Sequence, residues 1–328
     1  MRRVLVPLDI SQPPRIPAAA CVFALGGETM GTTWSVKLAA AAPPPAVARD
    51  IADVLDRVIA QMSTWRANSN IGQFNRSAAG AWHDLPNEFA DVLDCALAIA
   101  RDTDGAYDPT VGALVDLWGF GPAGPRGTIP PDDQIAAAIA RTGWQRLRRE
   151  GRFRIMQPGG LQLDLSSIAK GFAVDAVARC LDRSGVADYL VEIGGELRGR
   201  GVKPDGTPWW VALEQPQSTT AAETVVALHN LSIATSGDNR RFFECDGQRL
   251  SHTLDPRTGR PVRHFVASVT VLHRDCMPAD AWATALMVLG PDAGFTLAVC
   301  RDLAARFVIR SGTGWQERMT PALAAMLD

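Results

Sequence analysis

The chain has 328 residues, 47% of them hydrophobic and 21% charged, with a formal net charge of −2. Charges of both signs are interspersed without a Lys/Arg block, which argues against nucleic acid as a partner, and the length suits one large domain or two moderate ones. No apolar run approaches the length of a membrane-spanning helix, so no transmembrane segment is expected.

The first residues, "MRRVLVPLDISQPPRIPAAAC", begin with two arginines and end in small residues before Cys21, as a lipoprotein cleavage site does. Asp9, Pro13, Pro14 and Arg15 interrupt the place where an apolar h-region of about 7–15 residues would stand. The stretch therefore reads as an unstructured leader and the protein as cytoplasmic; a longer true N-terminus would make it a periplasmic lipoprotein instead. Residues 1–28 are set apart as leader and opening strand, and 29–328 as one domain.

"MGTTWSVKL" at 30–38 reads as a strand, followed by an alanine–proline loop. Val47, Ile51, Val54, Leu55, Val58 and Met62 recur at helical intervals, and further helices are predicted over 88–103 and 132–142. Strands then dominate: 152–156, 161–165, 188–193, 208–214, 224–229, 231–235, 241–245, 249–254 and 268–272. Asp246-Gly247 is the two-residue turn of a hairpin, and a helix is expected from about Pro278 to Leu289. Helices and strands are partly segregated, which predicts an α+β fold rich in antiparallel sheet. The six cysteines are scattered without a CxxC pair; Cys95, Cys180 and Cys300 fall in apolar helical patterns.

"LQLDLSSIAKGFAVDAVARCL" at 161–181 predicts a strand running into an amphipathic helix, with Ser166 and Ser167 placed to cap it. Lys170 then lies in the first turn, against the helix dipole. It either strengthens an anion site at the helix start or extends to solvent, and the segment alone does not separate the two. In "MPADAWATAL", Asp280 and Thr284 share one helix face, where they can hold a hard cation such as Mg²⁺ or serve as ordinary helix residues. Tyr107, Trp118 and Phe120 in "GAYDPTVGALVDLWGFG" can flank a flat ring or simply pack; His252 is a general base or a core histidine.

Together and in order, "MGTTWSV", "STWRANSNIGQFN", "YDPTVGALVDLWGFG", "IAKGFAVD", "VEIGGELRGRG", "SHTLDPRTGRP" and "ADAWATAL" resemble the ApbE-like family of FAD:protein FMN transferases, from residue 30 to residue 290. The resemblance implies an ApbE-like, T-fold-related architecture. It also implies a Mg²⁺-dependent reaction in which FAD is cleaved at its pyrophosphate. FMN then passes through its phosphate to a threonine or serine hydroxyl of an acceptor flavoprotein, such as a membrane redox-complex subunit, and AMP leaves. By the same resemblance Ser167, Asp280 and Thr284 fall on metal-ligand positions. Met30, Trp65, Ala106, Tyr107, Asp108, Asp164, Lys170, His252 and Leu254 fall on FAD-contacting positions, with His252 the suspected base and Lys170 and Asp280 catalytic. Two departures stand out: Ser166 and Ser167 replace a usual pair of glycines, and Asn239 replaces a common aromatic. The alternatives are a Mg²⁺-dependent FAD pyrophosphatase giving FMN and AMP, and a non-catalytic FAD-binding module. Asp280, Thr284 and His252 argue against the last, because binding alone needs no base.

Overall fold

A computed structural model describes residues 2–8, 19–215, 223–238, 242–245, 248–312 and 314–328. Strand β1 (Arg3–Leu5) corrects the expectation of an unstructured leader, while β2 (Cys21–Thr29) stands where the opening strand was expected. Leu5 is wholly buried, and β1 pairs in parallel with residues 224–226. β2 runs antiparallel to β3 (Thr32–Ala40) along its whole length, so a boundary at residue 28 would fall one residue short of the end of β2. Asp9, Pro13, Pro14 and Arg15, which carried the cytoplasmic reading, lie outside the described residues.

Helix α1 (Val47–Met62) buries the predicted stripe. Helix α2 (Asn70–Arg76) starts where the Ser69 hydroxyl accepts the Gly72 amide at 3.0 Å. Next come β4 (Trp82–Asp84), α3 (Asn87–Asp102), α4 (Gly112–Leu117), α5 (Asp132–Ile139), β5 (Arg148–Glu150) and β6 (Arg154–Met156). The strand expected at 161–165 does not form a ladder; it makes a single bridge, Gln162 to Val111. Here the Asn75 side chain stands in for a neighbouring strand, its amide donating to the Leu163 carbonyl and its oxygen accepting the Leu163 amide, both at 2.8 Å. That satisfies the backbone without a sheet partner.

Helix α6 (Ala169–Arg183) follows, then β7 (Tyr189–Ile193), β8 (Glu196–Arg200), β9 (Trp209–Ala212), β10 (Thr224–Leu228) and β11 (Leu231–Gly237). The predicted hairpin is present as β12 (Phe242–Cys245) and β13 (Gln248–Ser251); its turn, Asp246-Gly247, and Asn239 lie outside the described residues. β14 (Leu254–Asp255), β15 (Arg260–Pro261), β16 (Val266–His273), α7 (Cys276–Cys300), β17 (Ala304–Ser311), β18 (Gly314–Met319) and α8 (Pro321–Ala324) complete the chain.

The centre of the fold is an antiparallel sheet in the order β18-β17-β16-β11-β8-β7-β3-β2. Both faces are buried, so period-2 alternation sends neighbours to opposite layers. Val191, Ala234, Val269 and Val271 join the core under α1, α3, α6 and α7. Leu190, Ile233 and Leu272 face the small sheet β1-β10-β9 and α8, against Leu5, Trp209, Val226 and Leu323. The result is α+β with α1, α3, α6 and α7 collected on one side, as the sequence predicts.

Helix α7 corrects a second expectation. An 18-residue stretch of its 25 residues has a mean hydropathy of 1.5, long and apolar enough by length and composition to cross a membrane. Gly290, at φ 81°, breaks it just before Pro291, and its first part is packed against β11 and β16 with Ala281, Ala285, Leu286 and Met287 wholly buried. Burial in the protein accounts for the apolarity of that first part. Cys300 at its end is exposed, contrary to the core role expected of it, whereas Cys180 is buried.

Candidate active site

Helices α6 and α7 cross where Gly171 meets the start of α7. A Cβ at 171 would sit 2.4 Å from the Cys276 carbonyl oxygen, so the close approach requires glycine. The contact lets the Gly171 amide donate to Asp280 Oδ2 at 3.0 Å. In return, Asp175 on α6 accepts the Cys276 amide at 3.0 Å and the Met277 amide at 2.9 Å. Each helix start is thus held by a carboxylate from the other helix, where free amides and the dipole favour negative charge. Arg198 on β8 pairs with Asp175 and, at 2.9 Å, with Asp275.

Lys170 lies in the first turn of α6 as predicted, but it does not extend freely to solvent. Its Nζ is 2.6 Å from Glu196 Oε1, on a side chain only 3% exposed. Burial disfavours the Lys170 ammonium, yet the charges of Glu196 and Asp280 hold it above its ordinary value. Burial and the neighbouring Asp280 push the Glu196 carboxyl up to about 8, against the pull of Lys170. Burial likewise raises Asp280, opposed by Lys170 and the Gly171 amide.

The expected serine caps are corrected: Ile168 is the N-cap of α6 and has no side-chain cap bond. The Ser166 amide instead donates to Asp164 Oδ1 at 2.7 Å, and the Ser167 hydroxyl to Tyr107 Oη at 3.3 Å. The chain turns before the helix begins, so neither hydroxyl reaches its free amides. Tyr107 is 2% exposed, and burial drives its hydroxyl well above its usual range, with Asp280 and Asp164 adding to the effect. Ser167, Tyr107, Asp164, Lys170 and Asp280 therefore converge. Thr284, one turn beyond Asp280, shares a hydrogen bond of 2.8 Å with Ser236 on β11. Ala106 is buried beside Tyr107. Asp108 turns into the protein: it accepts the Thr110 amide at 2.8 Å, the Thr110 hydroxyl at 2.7 Å and the Trp144 amide at 3.0 Å, while burial raises its pKa.

Met30 forms the β2–β3 turn with Gly31, at φ 47° and 71°. The other described non-glycine residues with positive φ are Asp104, Asn230 and Asp302, types that tolerate this region better than methionine does. Such strain persists where surrounding structure imposes it, often at ligand sites. The turn lies beside Lys170: a Cβ on Gly194 would be 2.9 Å from Thr32 and 3.4 Å from the Lys170 stem. Met30 and Arg66 line a cleft of about 660 Å³, and Trp65 is 63% exposed. His252 lies in a bend after β13 rather than in a strand, edge-on to Phe120 with ring centroids 6.2 Å apart. Leu254 is buried with Leu114 and Trp118, in the packing around the 107–121 segment.

Sequence reasoning assigned no role to Glu196, Asp175 or Ser236. The signal for the first two was present: carboxylates that fall on the inward face of a strand and the apolar face of a helix. For Ser236 there was none.

The chain matches the ApbE family over residues 30–307. It is 39% identical over 308 residues to the "FAD:protein FMN transferase" of Vibrio cholerae serotype O1, covering 93% of this chain and 92% of that protein. It is 36% identical over 331 residues to the protein of the same name from Escherichia coli K12, covering 97% and 93%. Among solved structures, the apo flavinyl transferase ApbE of Pseudomonas stutzeri superposes with a TM-score of 0.87 at 41% identity, covering 94% of this chain and 97% of that one.

Proposed function

This chain belongs to the ApbE family, and we propose that it carries out the reaction its relatives are named for, moving FMN from FAD to a target protein. The observation that carries the reading is the convergence of Ser167, Tyr107, Lys170 and Asp280 at the α6–α7 crossing, beside the Met30 turn. The acceptor is a threonine or serine of a flavoprotein, such as a subunit of a membrane redox complex. Its hydroxyl oxygen attacks the FMN-side phosphorus of FAD, the bond to the bridging oxygen breaks, and AMP leaves with that oxygen. His252 accepts the hydroxyl proton. Lys170 faces the pyrophosphate and offsets its charge, while Asp280 anchors the site from α7.

The residues present suit a magnesium ion. Asp280, Thr284 and Ser167 offer only oxygen, the donor hard cations take. Two buried carboxylates, Glu196 and Asp280, face a single ammonium, which leaves room for further positive charge. Bound there, Mg²⁺ would supply Lewis-acid neutralisation of phosphate oxygens. The test incubates protein, FAD and Mg²⁺ with candidate acceptor domains and weighs the products. One FMN on an acceptor threonine or serine, with AMP released, supports transfer; free FMN and AMP alone would replace it with hydrolysis, and no turnover with binding alone.

A further inference from the structure

The contact between Lys170 and Glu196 combines two placements that are each unfavourable. A lysine in the first turn of a helix opposes the dipole. Glu196 is 2% exposed, and its Oε2 is buried without a hydrogen-bond partner. A buried ion pair with an unsatisfied oxygen recovers little of its desolvation cost, and an apolar pair of similar volume would stabilise the fold as well or better. The backbone nevertheless brings Glu196 to this point by a tight turn. Ile193 pairs with Glu196 across Gly194-Gly195, and both glycines have positive φ, at 64° and 107°. Any side chain on Gly194 would press on Thr32 and lie in contact with the Lys170 stem. The turn leaves room for the Lys170 side chain, whose Nζ ends 2.6 Å from Glu196 Oε1.

We propose that Glu196 is a positioning residue for flavin transfer, one that fixes the Lys170 ammonium where the pyrophosphate of FAD must lie. A free lysine side chain loses rotamer entropy when it is ordered. Ordering it before substrate arrives removes that loss from the reaction and places charge where it develops. The groups facing Lys170 are Glu196 from β8 and Asp280 and Cys276 from α7, and of these only Glu196 bonds to its ammonium. This inference rests on the transfer reading for its kinetic half alone.

Glu196→Gln keeps the size of the side chain and one acceptor oxygen but removes the charge. The expected result is a kcat lower by roughly 10–100-fold, the scale of a misplaced catalytic group, with no rise in KM for FAD. In the absence of FAD and acceptor, Lys170 of the variant should be modified by an amine-reactive reagent about tenfold faster at fixed pH, as expected for a lysine that loses a paired carboxylate. Glu196→Asp, which keeps the charge, should recover part of the kcat. Unchanged kcat together with unchanged Lys170 labelling would overturn the proposal. So would equal losses in both variants with a fallen Tm, which would make Glu196 a packing residue. The labelling experiment needs no turnover, so wild-type protein that flavinylates no acceptor would sink the transfer reading separately.

Discussion

Asp175 and Asp280 each close the start of the helix to which the other belongs: Asp175 on α6 takes the Cys276 and Met277 amides of α7, and Asp280 on α7 takes the Gly171 amide of α6. The three bonds run in both directions across one crossing, so neither helix can turn about its axis without breaking at least one of them. Asp280 is thereby aimed by a residue that need not touch any ligand.

Asp175→Asn should test this. Asp175 is 2% exposed and accepts the Cys276 and Met277 amides, while Arg198 keeps Asp275 as a second partner, so the change should cost about 1–3 kcal/mol from weakened buried hydrogen bonds. Urea unfolding reads the loss. The variant, where still folded, should also bind Mg²⁺ more weakly in the presence of FAD; wild-type affinity would show that Asp280 is held by other means.

Among Asp280, Thr284 and Ser167, only Asp280 brings a full negative charge. Asp280→Ala should abolish Mg²⁺-dependent activity, Thr284→Val should weaken metal binding more mildly, and Lys170→Met should lower FAD affinity without changing the metal requirement. Calorimetric Mg²⁺ titrations with FAD present separate the three. Unaltered Mg²⁺ affinity in Asp280→Ala would remove it from the ligand set.

His252→Ala should lower turnover about 10²–10⁴-fold, the range for loss of a general base, while FAD still binds. The measurement is single-turnover transfer at saturating FAD. A near-normal rate would confine His252 to packing on Phe120, where its ring already rests.

Much of this architecture could be read directly from residue patterns. Val47–Met62 is a helix with the predicted buried stripe, because 3.6-residue periodicity on one exposed-to-core helix is a local property. The 161–165 stretch misled because its alternation is real while its partner is the Asn75 side chain, and no spacing rule reports a side chain 88 residues away. Asp280 and Thr284 could be paired from spacing, whereas Glu196 needed the Gly194-Gly195 turn to be seen folded against α6. The N-terminal strand was missed for a related reason. Three residues are too few to show a period, and β1 exists only because β10 offers it an edge.

That strand is tied down by charge as well. Glu317 bonds both Arg3 of β1 and Arg306 of β17; burial raises its pKa, but the two guanidinium groups outweigh it and hold the carboxyl below its ordinary 4.5. A carboxylate depressed in the folded state contributes stability that is present above its unfolded pKa and lost as pH falls through the folded one. Glu317→Gln should therefore cost about 2 kcal/mol at pH 7 and much less at pH 3, flattening the acid limb of the stability profile. Urea melts at both values check this; equal losses at the two would show that packing, not charge, is responsible.

The Gly171–Asp280 bond joins residues 109 positions apart, and Ser167–Tyr107 and Lys170–Glu196 add spans of 60 and 26. Loops of that length close late, since their entropy must be offset before the contact yields anything. A ribosome-bound chain that has emerged only as far as β16 carries the Met30 turn, Tyr107 and Lys170 but lacks Asp280 altogether. The contacts that join α6 to α7 form only once α7 has emerged, so the site is completed late in synthesis.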